Sequence, residues 1–447
     1  MDFTYENHRQ NNYANMMEYI VKKNLYTIAW YCLNTILFCF VLWLVVLAVV
    51  RIGSMSYTEF EISDWLINYS GGFVRRGLIG EILHTLYNIC PFNMKYMILC
   101  ISVFSFLSFL YLLYKCCKAQ KMSMPPLLIT ICGAMLPIYW YRRDFIILIV
   151  TYLIFHLYIR YLKSGEKCFF IAFLVTSSLS ILIHEGGVFF TFPILFFLQW
   201  FSDDNKLIAV KKFVRGCKHF IIPFMVAVLV SIYKGNGHIP EIIWKSWASL
   251  FVHYPDEMGG TPQIGHGVAF LYENSISAAK FHLRLNFYID DSPYMMIWYV
   301  ISFFILLFCT YYLVERNFIV RRGNVERMES QCIRAGNILL FQFLAMLPML
   351  TVFSCDYART IMYCVASSIF LTYIIEKQKF VVYTPSWLEN VSAKFEAVCS
   401  NNRYMSSPWS YMLIVCLYPM SEFGGVLFLP VNSSVKRVIG YVYHSIF

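Results

Sequence analysis

Residues 25–50 read LYTIAWYCLNTILFCFVLWLVVLAVV, a run without a single charged side chain that follows directly on Lys22-Lys23-Asn24. Wound as a helix it would rise about 40 Å, more than the roughly 30 Å of bilayer hydrocarbon. It is too long for the apolar core of a signal peptide, and the 24 residues before it are polar, so it is expected to be a retained first crossing. The lysines beside it place the N-terminus in the cytoplasm by the positive-inside rule.

The rest of the chain continues in the same way. Of its 447 residues 59% are hydrophobic, 19% aromatic and only 14% charged, with a mean hydropathy of +0.58. A soluble domain carries about 25% charged residues, so that class is excluded. Apolar runs of roughly 17 to 25 residues recur along the whole length. The ten-residue alternation of a transmembrane barrel is absent. The expected fold is therefore all-α. It is a polytopic integral membrane protein forming one domain over 1–447, with about 11 transmembrane helices.

Alternation of the basic loops fixes a threading. Helices are expected near 25–50, 94–114, 125–141, 145–162, 168–183, 188–201, 219–233, 295–314, 337–353, 361–375 and 409–429. Lys115, Lys118 and Lys121, then Arg160, Lys163 and Lys167, then Lys206, Lys211, Lys212, Arg215 and Lys218, and finally Arg316, Arg321, Arg322, Arg327 and Arg334 fall on the cytoplasmic side. The outer face then carries a first loop over 51–93, which holds interfacial helices, and a larger loop over 234–294 between helices 7 and 8. The segment 376–408 is expected inside. The tail with Lys436 and Arg437 lies outside, against the charge bias.

The net charge of +10 follows from this topology and from anionic headgroups, so nucleic acid is not an expected partner. The 15 cysteines show no disulfide framework and no zinc-ligand spacing, since Cys116 and Cys117 are adjacent. Nor is there a phosphate-cradling P-loop or a dinucleotide fingerprint.

Charged residues at the ends of apolar runs carry the chemical signal, because ions there are costly unless they face a partner or a watery cavity. In the first outer loop, Gly71-Gly72-Phe73-Val74-Arg75-Arg76-Gly77 places adjacent guanidinium forks between glycines, ahead of an apolar spacing at 78, 79, 82, 83 and 86 that suits an interfacial helix. Such forks bind phosphate oxygens bidentately, although they also snorkel to lipid headgroups. Arg142-Arg143-Asp144 repeats the pattern between aromatic residues, with a local Arg–Asp pair as its plainer reading. His184-Glu185-Gly186-Gly187 offers acid/base groups, with glycines that allow a ligand close approach; a helix-end pair is the simpler reading. Asp356 and Arg359, three apart, share a helix face. In the larger outer loop Trp244, Trp247, His253, Tyr254, Asp256 and Glu257 combine aromatics with polar groups in the manner of a sugar site, or else of a wet cap. Asp256-Glu257 and Asp290-Asp291 leave a divalent cation possible and the metal unknown; no other cofactor is implied.

Outer arginines, a large outer loop and about 11 helices resemble the membrane glycosyltransferases of bacterial envelope-polysaccharide assembly. The likeness is to Wzy-type O-antigen polymerases and to the GT-C class of polyprenyl-phosphate-dependent glycosyltransferases, and it extends over the whole chain as architecture. The GT-C resemblance implies a catalytic acid in the first outer loop, where Asp64, Glu59 and Glu61 stand. The implied enzyme sits in the bacterial inner membrane and transfers glycosyl groups at the periplasmic face from undecaprenyl-linked donors. Asp64, Glu185 or Asp356 is the expected base, and His184 an orienting or alternate base. Arg75, Arg76, Arg142, Arg143 and Arg359 would hold the leaving phosphates, and Trp244, Trp247, His253, Tyr254, Asp256 and Glu257 the sugar. Partners on this reading are lipid-linked sugars, membrane lipids and a chain-length regulator or other assembly proteins. A flippase of lipid-linked sugars would instead want charges near the bilayer midplane and paired broken helices, and neither is present in the sequence. An acyltransferase anchored on His184-Glu185 is the other alternative.

Overall fold

The structure is a computed structural model. It describes residues 56–120, 142–202, 209–233, 237–253, 267–272, 335–349 and 357–401 apart from positions 58 and 383, with scattered residues over 21–50 and 280–314 and the strand residues 420–421 and 427–428. The helices expected near 25–50, 125–141 and 295–314 lie wholly or largely outside these residues.

The described chain is helical apart from two two-residue strands. A short helix α1 (Phe60–Ser63) and a 3-10 turn (Asp64–Leu66) lead to α2 (Gly77–Ile89). Then come α3 (Met94–Ala119), α4 (Asp144–Ser164), α5 (Lys167–Ile183), α6 (Gly187–Ser202) and α7 (Ala209–Ile232). After them follow α8 (Ile239–Ser246), α9 (Ala248–Phe251), a 3-10 turn (Val268–Leu271), α10 (Ala335–Ala345), α11 (Tyr357–Gln378) and α12 (Ser386–Asn401). Four of these, α3, α4, α7 and α11, are long and apolar enough to cross a membrane, while α5, α6 and α10 are shorter apolar helices.

Helix α4 is the hub, packed against α3, α5, α6 and α11. Its turn into α5 is made by Gly165 at φ 71°, a left-handed cap that a glycine adopts without strain. The two helices run antiparallel in a register set by Tyr158 against Phe173 (ring centroids 4.6 Å apart) and Tyr161 against Phe170 (4.7 Å). On the other flank Phe145 packs 5.0 Å from both Phe106 and Phe109 of α3. Helix α11 is buried along almost its whole length. Its hydroxyls are satisfied within the helix, Ser368 donating to Cys364 O and Thr372 to Ser368 O, so small side chains let neighbours approach closely. By contrast α7 leaves Ile221, Ile222, Phe224, Met225 and Leu229 exposed, the composition of a lipid-facing helix. Pro193 interrupts the ladder of α6. Close to that interruption Gln342 of α10 donates to Phe190 O (2.9 Å) and to Ser367 Oγ of α11 (3.0 Å), and so ties three helices together.

Several boundaries differ from the sequence expectation. Helix α7 starts at Ala209 rather than near 219, because Lys211, Lys212, Arg215 and Lys218 are good helix formers and extend it. Helix α10 gives way to a turn at Met346, two residues before Pro348. Within 376–408 lies α12, packed on α10. In the stretch expected as helix 11, Met420–Ser421 and Leu427–Phe428 pair instead as short antiparallel strands. The helix expected from the apolar spacing at 78, 79, 82, 83 and 86 is present as α2. It buries Gly80, Leu83 and Tyr87, and Ile82, Leu86 and Ile89 face outward.

Glycine is required at position 80. A Cβ there would stand 1.9 Å from Ile67 O and 2.8 Å from Trp65 O. Backbone atoms cannot swing away, so Gly80→Ala should cost roughly 2–3 kcal/mol and lower the thermal midpoint of the detergent-purified protein by several degrees. An unchanged midpoint would contradict the packing of α2 on residues 65–67.

Candidate functional site

The alternation of the bundle brings the N-terminal ends of α2, α4, α6 and α11 and the C-terminal end of α5 to one place. The charges that the sequence scatters over 64, 75–76, 142–144, 184–185 and 359 meet there.

Arg143 sits at the centre and is buried. Its Nε donates to Asp64 Oδ2 (3.0 Å), its Nη2 lies 2.6 Å from the same oxygen, and its Nη1 donates to the backbone carbonyl of Arg76 (2.7 Å). Arg76 has φ 62°, a left-handed conformation unusual for a residue other than glycine. The Arg143 bond to its carbonyl holds it there. That turn aims the Arg76 guanidinium at Glu185, to which it donates in a fork: Nε to Oε2 (3.0 Å) and Nη2 to Oε1 (2.7 Å). Nη1 of Arg75 lies 3.8 Å from the same Oε1, and Nη1 of Arg76 lies 3.8 Å from Asp64 Oδ1. Asp144 forms the second half of the network. Arg142 Nε is 4.0 Å and Arg359 Nε 3.7 Å from its oxygens, and Tyr363 donates its hydroxyl to Oδ1. Arg142 also stacks over the Phe60 ring at 4.7 Å. Five arginines thus meet three carboxylates among the described residues. Asp64, Arg143 and Asp144 are buried, whereas the side chains of Arg75, Arg76 and Glu185 are 16%, 16% and 28% exposed, so the accessible edge is theirs.

The electrostatics follow from this geometry. Burial pushes the Asp64 carboxyl up, but Arg143, Arg76 and Arg142 outweigh it and hold the group well below the usual carboxylate range. Glu185 is likewise raised by burial and lowered further by Arg76, His184 and Arg75, so it too is ionised. It stands two residues before α6, where the helix dipole favours an anion. His184 caps the end of α5. Burial, then the Arg76 charge, push it down to about 3, so the ring is neutral. Gly186 N donates to its Nδ1 (3.0 Å), which leaves the proton on Nε2. That Nε2 is buried and has no hydrogen-bond partner among the described residues.

The expected site residues fall into three groups. Asp64, Arg75, Arg76, Arg142, Arg143, His184, Glu185 and Arg359 come together. The sequence signals of two partners were missed: Tyr363 stands one turn beyond Arg359, and Asp144 joins both halves of the bundle where a local pair alone was expected. The aromatic set is placed differently. Trp247 is fully buried and donates Nε1–H to Leu66 O (2.9 Å), and Trp244 is buried against Phe251 (4.7 Å). Trp247 thus fastens α8 and α9 onto the 3-10 turn at Leu66, Trp244 packs α8 on α9, and both rings are buried among the described residues. His253 is exposed just beyond α9. Tyr254, Asp256, Glu257, Asp290, Asp291 and Asp356 lie outside the described residues. Gly186 and Gly187 make room for the protein itself: a Cβ on Gly186 would meet the His184 ring at 3.0 Å and one on Gly187 would meet Ser180 Oγ at 3.2 Å. Among the described residues no group of three His, Cys, Asp or Glu could hold a metal ion.

No protein-family model, curated protein or solved structure matches this chain.

Two outcomes follow. Asp64→Asn removes the charge that balances buried Arg143, and a buried cation left without its carboxylate costs about 3–5 kcal/mol. The variant should unfold at markedly lower temperature in detergent, whereas a Glu185→Gln change at the accessible edge should cost much less. The second concerns pH. The folded protein holds His184 neutral while the unfolded chain protonates it below about 6.5, so its contribution to stability is complete above that pH and falls as pH drops toward about 3. Asp64 and Glu185 add losses only below their ordinary carboxylate range. Between pH 6.5 and 5 the midpoint of the wild type should therefore fall more steeply than that of His184→Gln; parallel curves would contradict a buried neutral ring.

Proposed function

We propose that the protein is a polytopic enzyme of the bacterial inner membrane, crossing it about 11 times, that transfers glycosyl groups at the periplasmic face from an undecaprenyl phosphate or diphosphate donor. O-antigen or capsular polysaccharide assembly is its setting, as a Wzy-type polymerase or a GT-C-like transferase. The observation that carries the reading is the accessible Arg75–Arg76 edge, held in place by the buried Arg143–Asp64 pair at the ends of apolar helices. Planar guanidiniums at headgroup depth suit a lipid-borne phosphate, and no soluble nucleotide need reach them.

The chemistry assigned to these residues is a displacement at the sugar's anomeric carbon. The acceptor hydroxyl loses its proton to a carboxylate as its oxygen bonds to that carbon. The bond from carbon to phosphate oxygen breaks, and the electron pair leaves on the phosphate. Arg75 and Arg76, backed by Arg142, Arg143 and Arg359, face the charge that develops there, where preorganised donors matter most. Among the three carboxylates of the network Glu185 is the favoured base because it is the most accessible. Asp64 acts as a positioning residue, through Arg143 and the turn at Arg76. Neutral His184 supplies an Nε2–H donor.

In detergent, with purified protein and a lipid-linked donor, Arg76→Lys keeps the charge but loses the fork, so product formation should drop about 10²-fold at unchanged protein level. If the wild type forms no glycosidic bond from any lipid-linked donor yet moves such lipids across liposome membranes, it is a flippase.

A further inference from the structure

Oxygen Oε1 of Glu185 is shared by two guanidiniums, at 2.7 Å from Arg76 Nη2 and 3.8 Å from Arg75 Nη1, while Oε2 takes the Nε–H of Arg76. This is the arrangement in which paired arginines hold a phosphate group, with two oxygens of one anion on one fork and a second cation beside them. The carboxylate that fills it is on the least buried acid of the network, in the short turn between α5 and α6. The deeper pair, Arg143 with Asp64, meets this arrangement through the Arg76 backbone carbonyl (2.7 Å from Arg143 Nη1) and the longer Arg76 Nη1 contact of 3.8 Å with Asp64.

We propose that Glu185 is the resident occupant of an anion seat formed by Arg75 and Arg76, and that a phosphate-bearing ligand enters by displacing it. The ligand we assign is the diphosphate of a lipid-linked donor, which rests on the transfer reading above; bulk phospholipid headgroups are the competing source of the same chemistry. A diphosphate brings more charge and more acceptor oxygens to the two forks than one carboxylate does, so it can take the seat. The exchange couples two events. The leaving group is seated on the guanidiniums, and the displaced carboxylate gives up the contacts that kept it a poor proton acceptor, becoming a base only when a donor is present. An empty enzyme thus holds its own base neutralised.

The test uses the full-length protein in phosphatidylcholine nanodiscs with inorganic pyrophosphate as probe, read by thermal shift. Glu185→Gln should be stabilised at about tenfold lower pyrophosphate than the wild type, since the competitor's charge is gone. Adding Arg76→Lys to that variant should abolish the gain. Equal or weaker response of Glu185→Gln overturns the exchange. Should Glu185→Gln fail to fold, Glu185→Asp, whose shorter reach loosens the fork, should show a smaller gain in the same direction, and its absence overturns the proposal equally. In nanodiscs containing phosphatidylglycerol the gain should persist; its disappearance would mean that ordinary headgroups fill the seat, which overturns the donor assignment. Tighter pyrophosphate binding by Glu185→Gln together with a wild type that forms no glycosidic bond would retain the seat and remove the transfer reading. Glycosidic bond formation by the wild type, with no tightening in the variant, would do the reverse.

Discussion

One buried guanidinium organises this end of the molecule. Arg143 is stationed by the first residues of α4, and it satisfies Asp64 from the 3-10 turn while holding the carbonyl of Arg76 at the start of α2. Those contacts join a segment near position 64, the strained turn at 76 and the central helix. The left-handed backbone of Arg76 costs about 1–2 kcal/mol by itself and persists because its surroundings over-determine it. Without that turn the Arg76 side chain would follow a different course and the fork on Glu185 would not form. Buried ion pairs are weak sources of net stability. Here the pair acts as a positional device, fixing which cations reach the accessible edge and at what angle.

Much of this was legible in the sequence because the relevant signals are local. Helices α3, α4, α5, α6 and α11 follow from runs of apolar residues of the right length. The membership of the charge cluster was readable as well, since arginines and carboxylates at the ends of apolar runs have few other ways to be tolerated. The pairing was not readable. Which acid faces which arginine depends on helix rotation and on contacts between residues as distant as Asp64 and Arg143. An Arg pair ahead of a glycine reads as two free forks, whereas the backbone sends Arg76 to Glu185. The tryptophans misled for a related reason: Trp244 and Trp247 look like sugar platforms in a polar segment, but both are buried, with Ile243, Leu250 and Phe251, in the same core as Trp65, Leu66 and Ile67.

The larger segment after α7 is attached to the site by backbone as well as side chains. Gly267 N donates to Ser63 Oγ (2.6 Å), and a Cβ at Gly267 would collide with Asp64 backbone atoms at 2.6–2.7 Å. Asn68 reaches Ser246 (2.8 Å), and Gly71 lies against Ile239. The loop carrying Asp64 is therefore clasped between α4 on one side and the 239–271 region on the other, and this explains how an acid in a connecting segment can be as buried as one in a helix.

The tie made by Gln342 has a mechanical consequence. In lipid, apolar contact gives helices little reason to stay together, so polar hooks and close packing hold them. Gln342 fastens α6 at Phe190, one turn from the residues that carry Glu185, to α11 at Ser367; above it the Phe190 and Tyr363 rings stack at 4.4 Å. With the ends of α6 and α11 tied together in this way, the proposed release of Glu185, in the turn that leads into α6, is a turn of its own side-chain bonds. Such rotations run on picosecond to nanosecond timescales, far faster than helix displacement. On the proposed exchange, the anion's entry then needs only this side-chain rotation and no movement of α6 against α11.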